Sequence, residues 1–574
     1  MAINRRLFVT GLAVPALSAY TPGHASAVTP GNAPVPTPVT TLTPAGTEPE
    51  TTSRIPVGPD DTPDQLVAKA ARLRPTERQI AWQRLERTAF LHFGVNTFTG
   101  LEWGTGDEDP DVFQPTGLDT DQWARALRDG GFTLAILTVK HHDGFVLYPT
   151  RYTGHSVASS TWEGGRGDVL RSFTRSMRRH GIKVGVYISP ADENQYLHGV
   201  YANGSARTTR TIPTPAPADP RTNKPDDRAQ RPNDPAQKHG WPAHTPHFRL
   251  PATDYGAHML NQLYEILTEY GPVDEVWFDG AQGRIPPDQV EVYDWDSWYA
   301  LIRALAPEAT IAVSGPDVRW VGNEGGSARE NEWSTVPVKE TDNGRTDFAL
   351  SYDTPDQGSR EALVRAQPST DYLQWWPAEC DVSIRPGWFF HEEERPKTPE
   401  QLTDLYLKSV GRNAVLLLNI PPDQQGRLPA PDVAALRAFD DRIRRELPKD
   451  LARDSRAHSD GHHPTRATDG NPDTSWTAPA PSRGTLTLDL GHPHQVDRIR
   501  LAEDIRHGQQ VERATIEAET PEGWTQITET TTIGASRILL LPTPTTARRW
   551  RLRILTSRQP AHIAQFGLYR SEHP

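Results

Sequence analysis

Between residues 89 and 445 the sequence alternates short apolar runs with longer stretches of helical spacing, and this alternation restricts the fold more than any other feature. The apolar runs are 89–95, 132–139, 182–188, 273–278, 310–313 and 414–420. The helical stretches are 119–129, 169–179, 255–270, 295–305, 399–410 and 432–445. Continuous apolar runs of strand length suit strands covered on both faces. A repeated strand, helix, strand order implies right-handed crossovers and a parallel sheet. No glycine-rich nucleotide fingerprint follows the first run, which favours a closed (β/α)8-like TIM barrel over an open sheet.

The pattern changes after residue 445. Runs of period two at 485–490, 495–501, 513–518, 537–541 and 549–554, separated by turn residues, predict an antiparallel β-sandwich. Two domains also suit 574 residues, too many for one core. We place the α/β barrel at 75–449 and the sandwich at 450–574. At the other end, Arg5-Arg6, an apolar segment through Leu17 and the small residues Ala25-Ser26-Ala27 predict a twin-arginine signal peptide, 1–27, and a secreted product. That segment is too short to span a bilayer. Residues 28–74, rich in Pro and Thr, read as a flexible linker. The single cysteine, Cys380, excludes an intrachain disulfide. Residues 201–247 lack an apolar period and read as a long loop on the carboxyl face of the strands, either a lid or an insertion. The net charge of −12 argues against a nucleic-acid partner, and neutral glycans fit better.

The apolar runs end on polar groups. Asp279 closes the fourth, followed by Gly280 and Ala281; an acid there sits where parallel barrels place their chemistry, although Asp is also a common helix cap. His92 closes the first strand, His141 and His142 follow the second, and Tyr187 ends the third. A lone His beside Phe is more often a core residue with one hydrogen bond, but four polar ends on one rim have no such account. His92, His141, His142 and Asp279 also have the chemistry of zinc ligands, without the His-Glu-x-x-His spacing. Trp103, Trp320, Trp333, Trp375, Trp376 and Trp388 offer flat faces for the C–H surface of a sugar and are as well suited to a core. A second carboxylate, Glu324, stands on a turn flanked by Gly322, Gly325 and Gly326.

Together, Phe90-Leu91-His92-Phe93-Gly94, Val139-Lys140-His141-His142-Asp143-Gly144-Phe145, Ser189-Pro190-Ala191-Asp192, Trp277-Phe278-Asp279-Gly280-Ala281 and Trp320-Val321-Gly322-Asn323-Glu324 resemble glycoside hydrolase family 29, the α-L-fucosidases. The resemblance covers roughly residues 77–420. It implies an exo-acting, retaining enzyme with Asp279 as nucleophile. The Glu324 turn resembles that of the subfamily acting on α-1,3/1,4-branched glycans, which implies that Glu324 is the acid/base. The same resemblance implies that His92, Glu102, Trp103, His141, His142 and Tyr187 bind fucose hydroxyls or support the nucleophile. It implies that Trp388 packs on the sugar's methyl side. It implies no cofactor for catalysis, fucosylated oligosaccharides or glycoproteins as partners, and imidazole and indole donors around Asp279. The alternatives are a barrel of the same kind acting on another sugar, such as α-galactose, and a fucose-binding lectin with a decayed site. Residues 467–476 resemble the start of discoidin-like carbohydrate-binding modules, in which this loop often holds calcium; Asp469 and Asp473 would be its ligands, with neutral Gln565 at the late ligand position.

Overall fold

The computed structural model describes residues 39–43, 52–214 and 246–572. Eight parallel strands close a barrel: β1 Arg87–Leu91, β2 Leu134–Lys140, β3 Lys183–Ile188, β4 Glu275–Phe278, β5 Thr310–Val313, β6 Val318–Trp320, β7 Ala378–Ser383 and β8 Ala414–Asn419. Their order around the barrel is their order in the chain, and β8 pairs with β1 through Leu416 opposite Arg87. Strand alternation divides the core in two. Phe90, Ile136, Tyr187, Trp277 and Leu417 fill the barrel, while Ala89, Leu137, Val186, Phe278 and Leu416 pack outward. The outward set meets the helices Thr120–Asp129, Val169–Arg179, Asp254–Glu269, Trp295–Leu305, Pro399–Ser409 and Ala430–Glu446, which agree with the predicted helical stretches within a few residues.

Two barrel strands, β6 and β7, are absent from the sequence reading. β6 is only three residues long and follows β5 after the turn 314–317, with no helix between them. β7 reads Ala-Glu-Cys-Asp-Val-Ser: its acids face inward and its apolar residues outward, so no continuous apolar run marks it. A four-stranded antiparallel sheet replaces the crossover between them. It comprises Thr346–Phe348, Thr335–Glu340, Tyr372–Trp375 and Arg54–Pro56.

Ordered structure begins earlier than the linker reading allows. Besides the strand Arg54–Pro56, a helix spans Pro63–Arg72, where the Thr62 hydroxyl accepts from Gln65 N–H and the Gln65 side chain accepts from Thr62 N–H. Within 201–247, Thr208–Ile212 pairs antiparallel with His247–Ala252, and Val39–Thr41 adds to the far edge. Residues 215–245 and the predicted signal, 1–27, lie outside the described residues.

The last barrel helix ends at Glu446 and the first sandwich strand begins at Arg456. The sandwich is antiparallel, built from the long strands Thr485–Glu503 and Arg537–Ser557 with Val511–Thr520, Gly523–Thr530 and His562–Tyr569 around them. Register shifts near Asp489 and Val496 bend the long pair, which lets one strand serve both layers around buried Trp476, Trp550 and Phe566. It docks on the amino end of the barrel, where Arg500 pairs with Glu86 and Arg360 with Glu512.

Candidate active site

On β4, residues 275, 277 and 279 share the inward face, because strand side chains alternate. Asp279 therefore emerges at the carboxyl end of the barrel directly above Trp277, which stacks on Tyr187 with ring centroids 5.2 Å apart. The Tyr187 phenol donates to Asp279 Oδ2 at 2.8 Å, and Ala281 N–H donates to Oδ1 at 2.8 Å. Burial, then the charge of Asp279, push the phenol well above its usual range, so it stays a donor. The expected imidazole and indole donors are not those that hold the Asp279 carboxylate. His142 Nε2 stands 3.6 Å from Oδ2, beyond hydrogen-bond length, and the Trp277 indole donates instead to Glu379 at 2.8 Å. The helix-cap reading of Asp279 also fails, since the next helix starts only at Trp295.

The histidines are neutral acceptors. Asn419 Nδ2 donates to Ser383 Oγ and to the Trp388 carbonyl, which fixes Asn419 Oδ1 as the acceptor from His92 Nδ1 at 2.9 Å. With its proton on Nδ1, His92 keeps a lone pair on Nε2. Burial lowers the His92 ring to about 4. Ser189 gives its only proton to the Ala191 carbonyl, so its oxygen accepts from His142 Nδ1 at 2.7 Å, and His142 Nε2 faces Asp279 as a lone pair. His141, lowered well below the usual range chiefly by burial, stacks on Tyr187 at 5.6 Å. Neutral rings with free lone pairs accept hydrogen bonds from hydroxyls without competing with a carboxylate for cations. Among the described residues no three His, Cys, Asp or Glu side chains group as a metal set.

His92, His141, His142, Tyr187 and Asp279 line one cavity of about 760 Å³ with Glu102, Trp103, Trp320, Glu324, Asp381 and Trp388, so the structure brings together every residue that the family resemblance assigns to the site. Glu324 is exposed on the turn after β6, and the Trp388 indole N–H reaches its Oε2 at 3.4 Å. That turn needs its glycines: Gly322 has φ +108°, and a Cβ there would meet the Tyr352 carbonyl oxygen at 2.5 Å. Glu102 accepts from Trp388 N–H at 2.9 Å and contacts His391 Nε2 at 3.0 Å, so it anchors the 386–391 loop as well as facing the cavity. Trp103 is 45% exposed and meets His142 edge-on. Trp333 and Trp375 belong to buried cores; Trp376 is buried too but touches the cavity. Sequence reasoning missed Asn419, Asp381 and the hairpin wall Arg345–Phe348 with Tyr352. Only Asn419, a polar residue ending an apolar run, carried a readable signal.

The loop that presents Trp388 hangs on a buried bidentate pair, Arg385 Nε and Nη2 to the two Asp432 oxygens at 2.8 and 2.7 Å. Removing one partner strands a buried charge. Asp432→Ala is therefore expected to cost about 3–5 kcal/mol in urea unfolding and to raise KM more than it lowers kcat.

In the sandwich, Asp473 Oδ1 receives Arg84 at 2.8 Å and Arg506 at 3.4 Å. Asp469 caps Asn471 N–H and takes the Thr474 hydroxyl. Two guanidinium groups on one of two carboxylates do not fit a calcium site built on Asp469 and Asp473. Asp473 instead clasps the module to Arg84 at the barrel's amino end.

Two acids on one cavity, neutral acceptors for hydroxyls and indole walls for a sugar's C–H faces are the requirements for cutting a glycosidic bond, and they define a glycoside hydrolase barrel. Known proteins narrow the class. The Alpha-L-fucosidase family matches residues 80–444 and the F5/8 type C domain matches 452–566. Alpha-L-fucosidase 1 of Arabidopsis thaliana is 34% identical, covering 86% of this chain and 87% of its own. The solved structure of SpGH29 superposes with a TM-score of 0.71 at 32% identity, covering 87% of this chain and 98% of that one. A GH29 fucosidase of Ruminococcus gnavus, solved in complex with fucose, gives 0.68 at 27%, covering 87% and 95%. The chain belongs to the α-L-fucosidase family, a glycoside hydrolase family whose catalysis needs no cofactor and whose substrates are fucosylated glycans. No described helix is long and apolar enough to cross a membrane.

Proposed function

We propose that the protein is an exported, retaining exo-α-L-fucosidase that removes terminal fucose from α-1,3/1,4-branched glycans of Lewis type. The observation that carries this reading is the sharing of one cavity by Asp279, fixed by two hydrogen bonds, and Glu324, on the turn beyond β6. In the first step an Asp279 oxygen bonds the anomeric carbon while the bond to the leaving oxygen breaks and takes the Glu324 proton. In the second, Glu324 takes a proton from water, whose oxygen displaces Asp279 and releases fucose with its configuration retained. A pair of this kind works with its carboxyl groups about 5–5.5 Å apart. The cavity, larger than one monosaccharide needs, leaves room for the branched leaving group beside Trp320 and Tyr352.

Incubation with fucose-branched trisaccharides, an α-1,2-fucosylated glycan and an aryl fucoside tests the specificity. The branched substrates are expected to lead the α-1,2 glycan by roughly 100-fold in kcat/KM, a gap of about 3 kcal/mol. Equal rates would sink the linkage assignment. NMR of the first-formed sugar reads the stereochemistry, and sequencing of the secreted product, expected to begin after Ala27, reads the export.

A further inference from the structure

The cavity wall near Glu324 carries a carboxyl to which the two-acid mechanism gives no task. Asp381 stands at the carboxyl end of β7, on the inward face two residues above Glu379, and is 5% exposed. Its Oδ1 accepts the Trp320 indole N–H at 2.8 Å. Its backbone carbonyl accepts Gly326 N–H at 3.1 Å, which closes the Glu324 turn onto β7. The turn lies hard against the strand: Gly326 has φ +67°, and a Cβ there would meet Val382 at 2.7 Å. Asp381, Trp320 and Glu324 all face the same cavity, and Trp320 continues into Tyr352 at a ring separation of 5.4 Å.

We propose that Asp381 is a positioning residue for Glu324: fixed by the Trp320 indole, its side chain sets the wall against which Glu324 stands when its proton passes to the leaving oxygen. Burial and then the charge of Glu324 push the Asp381 carboxyl well above its usual range, which favours its uncharged form whenever Glu324 is ionised. An uncharged neighbour lets Glu324 alternate between acid and carboxylate without facing a second anion; a fixed anion in the same place would repel it at each turn. No proton leaves Asp381 in either step. The inference rests on the reading of Glu324 as the acid/base.

The test compares Asp381→Ala, Asp381→Asn, Trp320→Phe and Glu324→Ala on a fucose-branched trisaccharide and on an aryl fucoside whose leaving group needs no proton. Asp381→Ala is expected to lose roughly 10- to 100-fold in kcat/KM on the trisaccharide and less than about 3-fold in kcat/KM on the aryl fucoside, because kcat/KM reads only the first step, where a good leaving group needs no acid. Trp320→Phe, which removes the indole donor, is expected to show the same split in smaller degree. Asp381→Asn keeps the shape and an acceptor for the indole, so it should hold trisaccharide activity within about 3-fold and leave the alkaline limb of the pH profile where it is. Equal losses on both substrates, no loss for Asp381→Ala, or an Asn variant as impaired as Ala would overturn the proposal. So would an alkaline limb moved by a unit or more in the Asn variant, since that would assign Asp381 an ionised role. Should Asp381→Ala fail to fold, the Asn and Phe variants decide on the same criteria. Glu324→Ala separates the two readings: no split there overturns the acid/base assignment itself, while a split there without one at Asp381 overturns only the positioning role.

Discussion

Asp279→Ala is expected to lower kcat on every fucoside by on the order of 10⁴- to 10⁶-fold while the protein folds as before, because on the proposed mechanism the loss is of the group that bonds to the anomeric carbon. The fold is expected to survive since Asp279 is a fifth exposed at its side chain and makes only two hydrogen bonds, to the Tyr187 phenol and Ala281 N–H, neither part of a strand ladder. Tyr187 keeps its place through its stack on Trp277. The space left by the carboxylate is anion-shaped and lined by those same two donors. Added azide is therefore expected to enter it, attack the anomeric carbon from the face Asp279 used, and restore part of the rate on an aryl fucoside. The product would be a fucosyl azide of inverted configuration. A variant that retains more than about 1% of native kcat, or an azide product of retained configuration, would remove Asp279 from the nucleophile's role.

The parts of this site that could be read from the sequence were those in which a polar residue interrupts a strong apolar run. His92, Tyr187 and Asp279 end runs whose other members fill the barrel or its outer layer, so both the strands and the exceptions to them were visible. β7 hid by the opposite device. Its inward acids are Glu379 and Asp381, and the barrel interior accepts them because each meets an indole N–H, from Trp277 and from Trp320. Glu275, below Trp277, receives Trp82 in the same way. Burial pushes Glu275 and Glu379 above the usual carboxylate range, which favours their uncharged forms in the core. A rule that expects only apolar residues inside strands cannot see a strand whose acids are neutral. The helix Pro63–Arg72 was missed for another reason. Its capping box, Thr62 with Gln65, and its Pro at the first turn are legible start signals, but the surrounding proline and threonine content outweighed them. The calcium reading meets a partner outside its own loop, since nothing within 467–476 announces that Arg84, far away in the chain, pairs with Asp473.

Glu324→Ala carries the second large effect, and its size depends on what leaves. A galactose or N-acetylglucosamine oxygen is a poor leaving group that must be protonated as its bond breaks, so loss of the acid is expected to cost roughly 10²- to 10⁴-fold on branched glycans. A dinitrophenolate leaves without help, and on such a fucoside the first step is expected to stay within about 10-fold of native. The second step still needs a base to activate water. The variant should then accumulate a fucosyl–Asp279 intermediate, seen as a burst of phenolate followed by slow turnover, and detectable as a mass increase of the protein. The position of Glu324 makes this separation clean. It is exposed on a turn, where its side chain accepts from the Trp388 indole at 3.4 Å, so truncation leaves no buried hydrogen-bonding group unpaired. Trp388 retains its carbonyl contact with Asn419 and its N–H bond to Glu102, which keep that wall of the cavity in place. A uniform loss on both substrates would therefore point to a binding role for Glu324 and require another acid, with Asp381 the carboxyl already standing in the same cavity.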